Sequence, residues 1–209
     1  EAYAERLPTV EINNTFYRMP DAKLLEGFRD RVPEGFTFSL KAPRSITHSA
    51  KLRNVESKVQ QFVGLAQLLG TKLGPLLFQL PPFLKKDLAL LTDFASILPK
   101  GVRAALEFRH PSWFDDEVYE TLRRHALALV ATEVDEGDGI DSPYVATAPF
   151  GYVRLRRQNY DAQSLKAAAR NIENLRVEPV FAYFKHEVLG PGYADQLARI
   201  EYELPDSPE

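Results

Sequence analysis

Seven short apolar stretches run through the chain, and each one ends in charged or amide side chains. Short apolar runs of this kind predict buried strands. Because polar groups are costly to bury, their recurrence at the same end of successive strands predicts one shared pocket. The predicted strands are Thr9–Asn13, Thr37–Lys41, Gly74–Gln79, Arg103–Arg109, Leu127–Glu133, Tyr152–Arg157 and Val180–His186.

Helical patterns separate most of these strands. A last helix is predicted from about Tyr193 to Leu204, and the Gly-, Pro- and Asp-rich segment from Val134 to Phe150 predicts a loop. Five short polar side chains stand where helices should begin, and they are predicted to be N-caps: Asp21, Asn54, Asp87, Asp115 and Asp161.

The alternation of strands and helices predicts an α/β fold of parallel strands joined by helical crossovers. A doubly wound sheet and a closed TIM-type (β/α) barrel both satisfy this order. Polar residues at the end of nearly every strand favour the barrel, because a doubly wound sheet concentrates its site at one switch point. Residues 1–8 read as the end of a helix, so we expect one strand before the seven visible ones. The prediction is a single (β/α) barrel domain over residues 1–209, incomplete at its N-terminus.

Bulk composition narrows the class of protein. The 209 residues are 44% hydrophobic and 26% charged, as in ordinary folded domains. A net charge of −3 argues against a general attraction to nucleic acid, although a local basic cluster would still allow one. The chain has no cysteine, which excludes disulfides and thiolate chemistry and leads us to expect a cytoplasmic protein. We find no signal peptide and no apolar stretch near the roughly 20 residues that span a bilayer, so no membrane partner is predicted.

Two glutamates are the candidate acid and base. Side chains alternate along a strand, so Glu11 points the same way as Asn13, and Glu107 the same way as Arg109. Paired carboxylates can divide the two roles when their surroundings separate their pKa values. The alternative for Glu11 is an ion pair with Lys41 on the adjacent strand. With a lysine and a histidine as electrostatic or proton-transfer helpers, the candidate catalytic set is Glu11, Glu107, Lys41 and His48.

Basic side chains collect at the ends of the same strands. A guanidinium binds carboxylate or phosphate with two hydrogen bonds, so a small anionic ligand, phosphorylated or sugar-like, is predicted. The alternative is that these cations only balance the neighbouring glutamates. Arg154 and Arg156 share a face, but the sequence leaves open whether that face points inward. The candidate binding residues are Asn13, Tyr17, Gln79, Arg109, His110, Trp113, Arg154, Lys185 and His186.

Histidines and aromatic residues raise two further possibilities. His48, His110 and His186 follow strands and could bind a divalent metal beside a glutamate, but their spacing matches no metal-binding motif. No cofactor is therefore predicted, and a divalent metal stays an open alternative.

Trp113, the only tryptophan, could stack on a base or sugar. Covering the barrel rim is the commoner role for such a residue.

Six segments follow one another in a recognisable order: Val10–Pro20 (VEINNTFYRMP), Phe36–His48 (FTFSLKAPRSITH), Leu73–Pro82 (LGPLLFQLPP), Ala105–Phe114 (ALEFRHPSWF), Tyr152–Arg157 (YVRLRR) and Phe181–Glu187 (FAYFKHE). Together they resemble the YecE-like family, also called domain-of-unknown-function family 72. The resemblance implies a TIM-type barrel and a bacterial or archaeal source, but no reaction. The positions that match the family's motifs are Glu11, Asn13, Thr15, Tyr17, Lys41, His48, Gln79, Glu107, Arg109, His110, Trp113 and Arg154.

The chain departs from the family pattern in two places. Family members usually open with a strand and a Gly-Thr-Ser-Gly-Trp-like turn, which this sequence lacks. Many also carry Asn after the aromatic residue of the final strand, where this chain has Lys185 and His186. We expect the second difference to make the pocket more basic.

Three functions remain open on these observations. The first is an enzyme, such as a hydrolase, lyase or isomerase, that acts on an anionic substrate. The second is nucleic-acid binding or processing through the basic rim, which predicts affinity that falls steeply with salt. The third is a non-catalytic ligand sensor.

Overall fold

Seven parallel strands alternate with helices along the chain, as predicted. The structure, a computed structural model, describes residues 4–186 and 188–203, with side chains as far as Ile200. The strands are β1 (Thr9–Ile12), β2 (Thr37–Lys41), β3 (Leu73–Gln79), β4 (Ala104–Glu107), β5 (Ala128–Glu133), β6 (Gly151–Leu155) and β7 (Val180–Phe184). The helices are α1 (Ala22–Asp30), α2 (Glu56–Ala66), α3 (Leu88–Ile97), α4 (Asp116–Arg124), α5 (Ala162–Glu173) and α6 (Gly190–Glu203).

The strands pair in sequence order, β1 to β7, and every adjacent pair is parallel. They curl into a nearly closed barrel, which confirms the predicted TIM-type architecture. β1 and β7 meet through side chains, because the hydroxyl of Tyr183 lies 2.8 Å from Thr9 Oγ1 and 2.7 Å from Ser39 Oγ. Of the residues expected to end a helix before β1, residues 4–6 form a turn and residues 1–3 lie outside the described part.

A cleft opens along the seam between β1 and β7. Its volume is about 1590 Å³, and its walls come from these two strands, the end of α5 and the start of α6. Glu11, Arg154 and Lys185 also line it. The seam therefore leads from the side of the barrel to the polar ends of the strands.

Aspartate side chains begin four of the helices, as predicted. Asp21, Asp87, Asp115 and Asp161 each accept a hydrogen bond from a backbone N–H in the first turn of their helix. The prediction for Asn54 is wrong. It has φ of 53° and forms a turn, and α2 instead follows Val55, whose side chain cannot accept a hydrogen bond.

The alternation of side chains along the strands divides the core into two layers. Residues such as Leu76, Phe78 and Leu106 point outward and pack against the helices. Their neighbours point into the barrel, where Leu77, Ala105, Val130, Tyr152 and Phe181 form an inner cluster. The next inward positions toward the carboxyl ends are polar, and they form the floor of the mouth of the barrel: Glu11, Lys41, Gln79, Glu107 and Arg154.

Candidate functional site

Arg154 on β6 joins two carboxylates from other strands at the barrel mouth. Its Nε and Nη2 lie 3.0 and 2.8 Å from the two carboxylate oxygens of Glu11, which makes a bidentate pair. Its Nη1 lies 2.7 Å from Glu107 Oε2. All three side chains are at least 94% buried. The sequence left the facing of Arg154 open, and the structure places it inside the barrel.

Further hydrogen bonds hold both carboxylates in place. Glu11 accepts from the Tyr152 hydroxyl at 2.7 Å and from the Asn13 amide at 3.0 Å. Glu107 accepts from the Gln79 amide at 3.0 Å. Burial alone would raise the pKa of Glu107, but Arg154, followed by Gln79, outweighs it and lowers that pKa. An ionised Glu107 does not suit a general acid at neutral pH, so the acid/base role of the two glutamates stays a prediction that this geometry does not favour.

Lys41 at the end of β2 does not form the ion pair with Glu11 that was considered as an alternative. That prediction is wrong because Arg154 reaches Glu11 from across the barrel and occupies both of its oxygens. The Lys41 amine instead lies 4.2 Å from the centre of the Phe16 ring. Burial, reinforced by the positive charge of Arg154, lowers the pKa of Lys41 to about 8.

His48 lies on the short helix Ser45–Ser49 beyond β2, beside the same aromatic ring. Its ring centre is 5.0 Å from that of Phe16, and its Nδ1 is 2.9 Å from the Thr47 hydroxyl. Burial lowers the pKa of His48, and the charges of Lys41 and Arg109 lower it further. A neutral imidazole, which can accept a proton, therefore lies beside the same Phe16 ring as the Lys41 amine.

The barrel mouth holds more positive than negative charge. The pKa of Arg156 is lowered by burial and then by the charge of Arg154, while that of Lys185 is lowered by burial and then by Arg156, so these groups lie within electrostatic range. Both nearby carboxylates are already bound to Arg154. Arg156 contributes only a 3.7 Å contact to Glu107, and its buried Nε has no hydrogen-bond partner. The cations in excess of the Glu11–Arg154–Glu107 triad are Lys41, Arg109, Arg156 and Lys185.

Other predicted site residues lie at the rim or in the core. Trp113 is fully buried, stacks on Phe108 with ring centres 4.5 Å apart, and donates a hydrogen bond to the carbonyl of Leu84. Because no part of the Trp113 side chain is exposed, it cannot contact a ligand in the mouth. The predicted binding role is therefore wrong, and Trp113 belongs to the core. Tyr17, by contrast, is 73% exposed.

His110 and His186 hold the local backbone in place. His110 Nδ1 accepts from the backbone N–H of Ser112, and His186 Nδ1 accepts from that of Leu189 at the start of α6. Within residues 4–186 and 188–203, no three acidic or histidine side chains come together in a way that could hold a metal ion. A divalent metal thus stays an untested alternative, with no ligand set among these residues to support it.

The sequence did not single out the tyrosines inside the barrel. Tyr152 lies two residues before Arg154 on the same face of β6, and that spacing was the available signal. Tyr183 holds the seam between β7 and the first two strands. In the sequence alone, both look like ordinary aromatic residues of a strand, and only the curled sheet shows which residues they contact across the barrel.

The model of the family described as "Protein of unknown function DUF72" matches residues 1–204. The chain belongs to this family. Among curated DUF72 relatives, the UPF0759 protein YecE of Escherichia coli K12 is 32% identical over 126 residues, which cover 59% of this chain and 46% of that protein. The UPF0759 protein YunF of Bacillus subtilis is 33% identical over 128 residues, covering 57% and 45%. The matched region spans about half the length of these relatives.

A solved DUF72 structure has the same fold. The crystal structure of a DUF72 family protein from Enterococcus faecalis V583 superposes with a TM-score of 0.84 at 19% identity, covering 97% of this chain and 92% of that one. At this identity the likeness concerns the fold alone. In the part of the DUF72 chain that the structure describes, no helix is long and apolar enough to cross a membrane.

Proposed function

We propose that this DUF72 protein is an enzyme that binds a small anionic substrate at the carboxyl ends of its barrel strands. The observation that carries the proposal is the charge of the barrel mouth, where five cationic side chains surround two carboxylates that Arg154 already occupies. Closely spaced cations that outnumber their counter-ions are unfavourable, so an anion that neutralises them binds favourably. Phosphate and carboxylate are the groups that such a set of cations recognises.

The residues divide into an anion clamp and a reactive side. Arg109, Arg156 and Lys185 form the anion clamp, and the Arg156 guanidinium, whose side chain is 15% exposed, offers hydrogen-bond donors to a substrate oxygen. Lys41 and His48 stand on the β2 side of the mouth, around Phe16. In this arrangement Glu11 and Glu107 orient Arg154. For either glutamate to act as an acid or base, Arg154 would have to release it during turnover.

Anion binding is tested by titrating the intact chain with inorganic phosphate and following heat or thermal unfolding. Arg156→Gln removes one member of the anion clamp. Arg124→Gln, on the exposed C-terminal end of α4, makes the same change in charge far from the barrel mouth. We expect phosphate affinity to fall about tenfold or more in Arg156→Gln and to stay near wild type in Arg124→Gln. Equal affinities in both variants, or no phosphate binding in the wild type, would remove the basis of the proposal.

Nucleic-acid binding is a second candidate, and one observation favours it. Tyr17 and Phe83 follow β1 and β3 at the same end of the barrel and expose 73% and 63% of their surface. Exposed aromatic rings beside cations suit single-stranded nucleic acid, whose bases stack on them. This candidate requires oligonucleotide affinity that falls steeply with salt and is lost in Tyr17→Ala. A small-anion enzyme predicts no such effect of Tyr17→Ala.

A further inference from the structure

Two lysines of this chain are almost equally buried, yet their surroundings are opposite. Lys72 is 8% exposed, and its amine donates hydrogen bonds of 2.9 and 2.8 Å to the carbonyls of Arg29 and Val32 and lies 3.6 Å from Glu34. Lys41 is 9% exposed, and its amine keeps contact with solvent, while none of the described residues accepts a hydrogen bond from it or forms an ion pair with it. Lys72 is a satisfied structural lysine. Lys41 is not.

The surroundings of Lys41 suit an amine that loses its proton. The two carboxylates that could have paired with it are held by Arg154, and its amine lies 4.2 Å from the centre of the Phe16 ring. With a pKa of about 8, roughly a quarter of the Lys41 amine is neutral at about pH 7.5, against roughly 0.1% for an ordinary lysine. A neutral amine is a nucleophile toward carbonyl carbon, whereas an ammonium is not.

We propose that Lys41 is a catalytic residue whose amine condenses with an aldehyde or ketone carbonyl of an anionic substrate to form an imine. The inference rests on the proposed function, since the anion clamp supplies the substrate's orientation. Lys41 ends β2 on the inner face, in the same polar layer as Arg154. A substrate whose phosphate or carboxylate contacts Arg156 and Lys185 would extend its carbonyl toward the β2 side of the mouth.

The condensation balances with groups already present. The Lys41 nitrogen forms a bond to the carbonyl carbon while the C=O π electrons move to oxygen, which takes up one proton from solvent, the proton that the imine finally carries. The nitrogen of this carbinolamine loses a proton to neutral His48. His48 then returns a proton to the hydroxyl, the C–O bond breaks, and water leaves as the nitrogen lone pair completes the C=N bond. The products are a protonated imine and one water, with no oxidant or reductant required.

Trapping the imine tests the assignment directly. The intact chain is incubated with glyoxylate, a small aldehyde that carries a carboxylate, in the presence of cyanoborohydride, and labelled lysines are mapped by peptide mass spectrometry. We expect Lys41 to be labelled at least about tenfold faster than Lys72, because the Lys72 amine is held by hydrogen bonds to two backbone carbonyls and the Lys41 amine is not. Acetaldehyde, which lacks the anionic group, should label Lys41 much more slowly, and inorganic phosphate should slow the glyoxylate reaction.

Two variants sharpen the result. Lys41→Arg keeps the charge and should abolish the rapid labelling, while Arg156→Gln should slow it with glyoxylate and leave it unchanged with acetaldehyde. The wild-type peptide map decides the question even if Lys41→Arg fails to fold. Phosphate binding without preferential labelling of Lys41 would overturn the inference and leave the proposed function standing. Equal labelling of Lys41 by both aldehydes, with no phosphate binding, would overturn the proposed function and the anionic substrate with it.

Discussion

Replacing Arg154 with methionine should destabilise the protein far more than any surface charge change. The substitution keeps much of the side-chain volume but leaves Glu11 and Glu107, 6% and 1% exposed, without their cation. Removing one partner from a buried ion pair costs about 3–5 kcal/mol, because the remaining charge stays buried and uncompensated. Typical domains have about 5–15 kcal/mol of total stability, so this loss is a large part of the whole.

The loss should depend on pH in a defined direction. In the wild type the folded pKa of Glu107 is lowered, so its stabilisation is present above the unfolded value of about 4.3 and is lost as the pH falls through the folded value. In Arg154→Met the largest influence that lowers the pKa of Glu107 is gone, so we expect burial to outweigh Gln79, Arg156 and Lys41 and to raise that pKa, and the penalty is relieved when the carboxyl takes up a proton. We therefore expect the difference between wild type and variant to be largest near about pH 8 and to narrow toward about pH 5.

Urea unfolding at several pH values measures this difference. Arg53→Gln is the matched control, because Arg53 is 60% exposed and its partner Asp87, 3.0 Å away, is 36% exposed, so its loss should cost less than about 1 kcal/mol. The triple variant Glu11→Gln/Glu107→Gln/Arg154→Met removes the uncompensated charges and should recover part of the stability lost in Arg154→Met. A loss below about 1 kcal/mol in Arg154→Met, or a triple variant less stable than the single one, would refute the reasoning.

Two further substitutions test how the site is supported. Tyr152→Phe removes the hydroxyl that donates a hydrogen bond to Glu11. Because hydrogen bonds to charged groups contribute about 1.5–3 kcal/mol, the free energy of unfolding in urea should fall by that amount. An unchanged urea midpoint would show that this hydrogen bond does not stabilise the fold. Trp113→Phe should lower the free energy of unfolding, because it creates a cavity and leaves the Leu84 carbonyl without its hydrogen-bond donor. The phosphate affinity of the folded variant should stay near that of the wild type. A selective loss of phosphate affinity in Trp113→Phe would return this residue to the binding site.

Local patterns were sufficient to predict the order of the elements. Each strand begins and ends no more than two residues from its predicted limits, because apolar runs that end in polar groups mark the barrel interior and its mouth. Four of the five predicted caps are correct because an aspartate before a helix satisfies its first backbone N–H groups wherever it occurs. Asn54 was wrong because asparagine also favours left-handed turns, which it adopts here.

The pairing inside the site could not be read from sequence. Alternation indicated that Glu11 and Arg154 lie on definite faces of their strands, but they are 143 residues apart and meet only across the closed barrel. The expected pairing of consecutive strands suggested Lys41 as the partner of Glu11, whereas the longer Arg154 side chain reaches both glutamates. The predicted binding role of Trp113 was wrong because an aromatic residue after a strand can cover either the mouth or the core. Only the stacking of Trp113 on Phe108 distinguishes the two.

The distribution of charge bears on which kind of anion this DUF72 barrel would select. The whole chain carries a net charge of −3, yet the barrel mouth has cations in excess of its carboxylates. Beyond about 8 Å, salt at physiological strength screens the field of the mouth, so only groups that enter it experience the attraction. A long polyanion would also meet the negative remainder of the surface, whereas a small phosphate or carboxylate compound would not. The contrast between local and global charge therefore favours a small anionic substrate over nucleic acid.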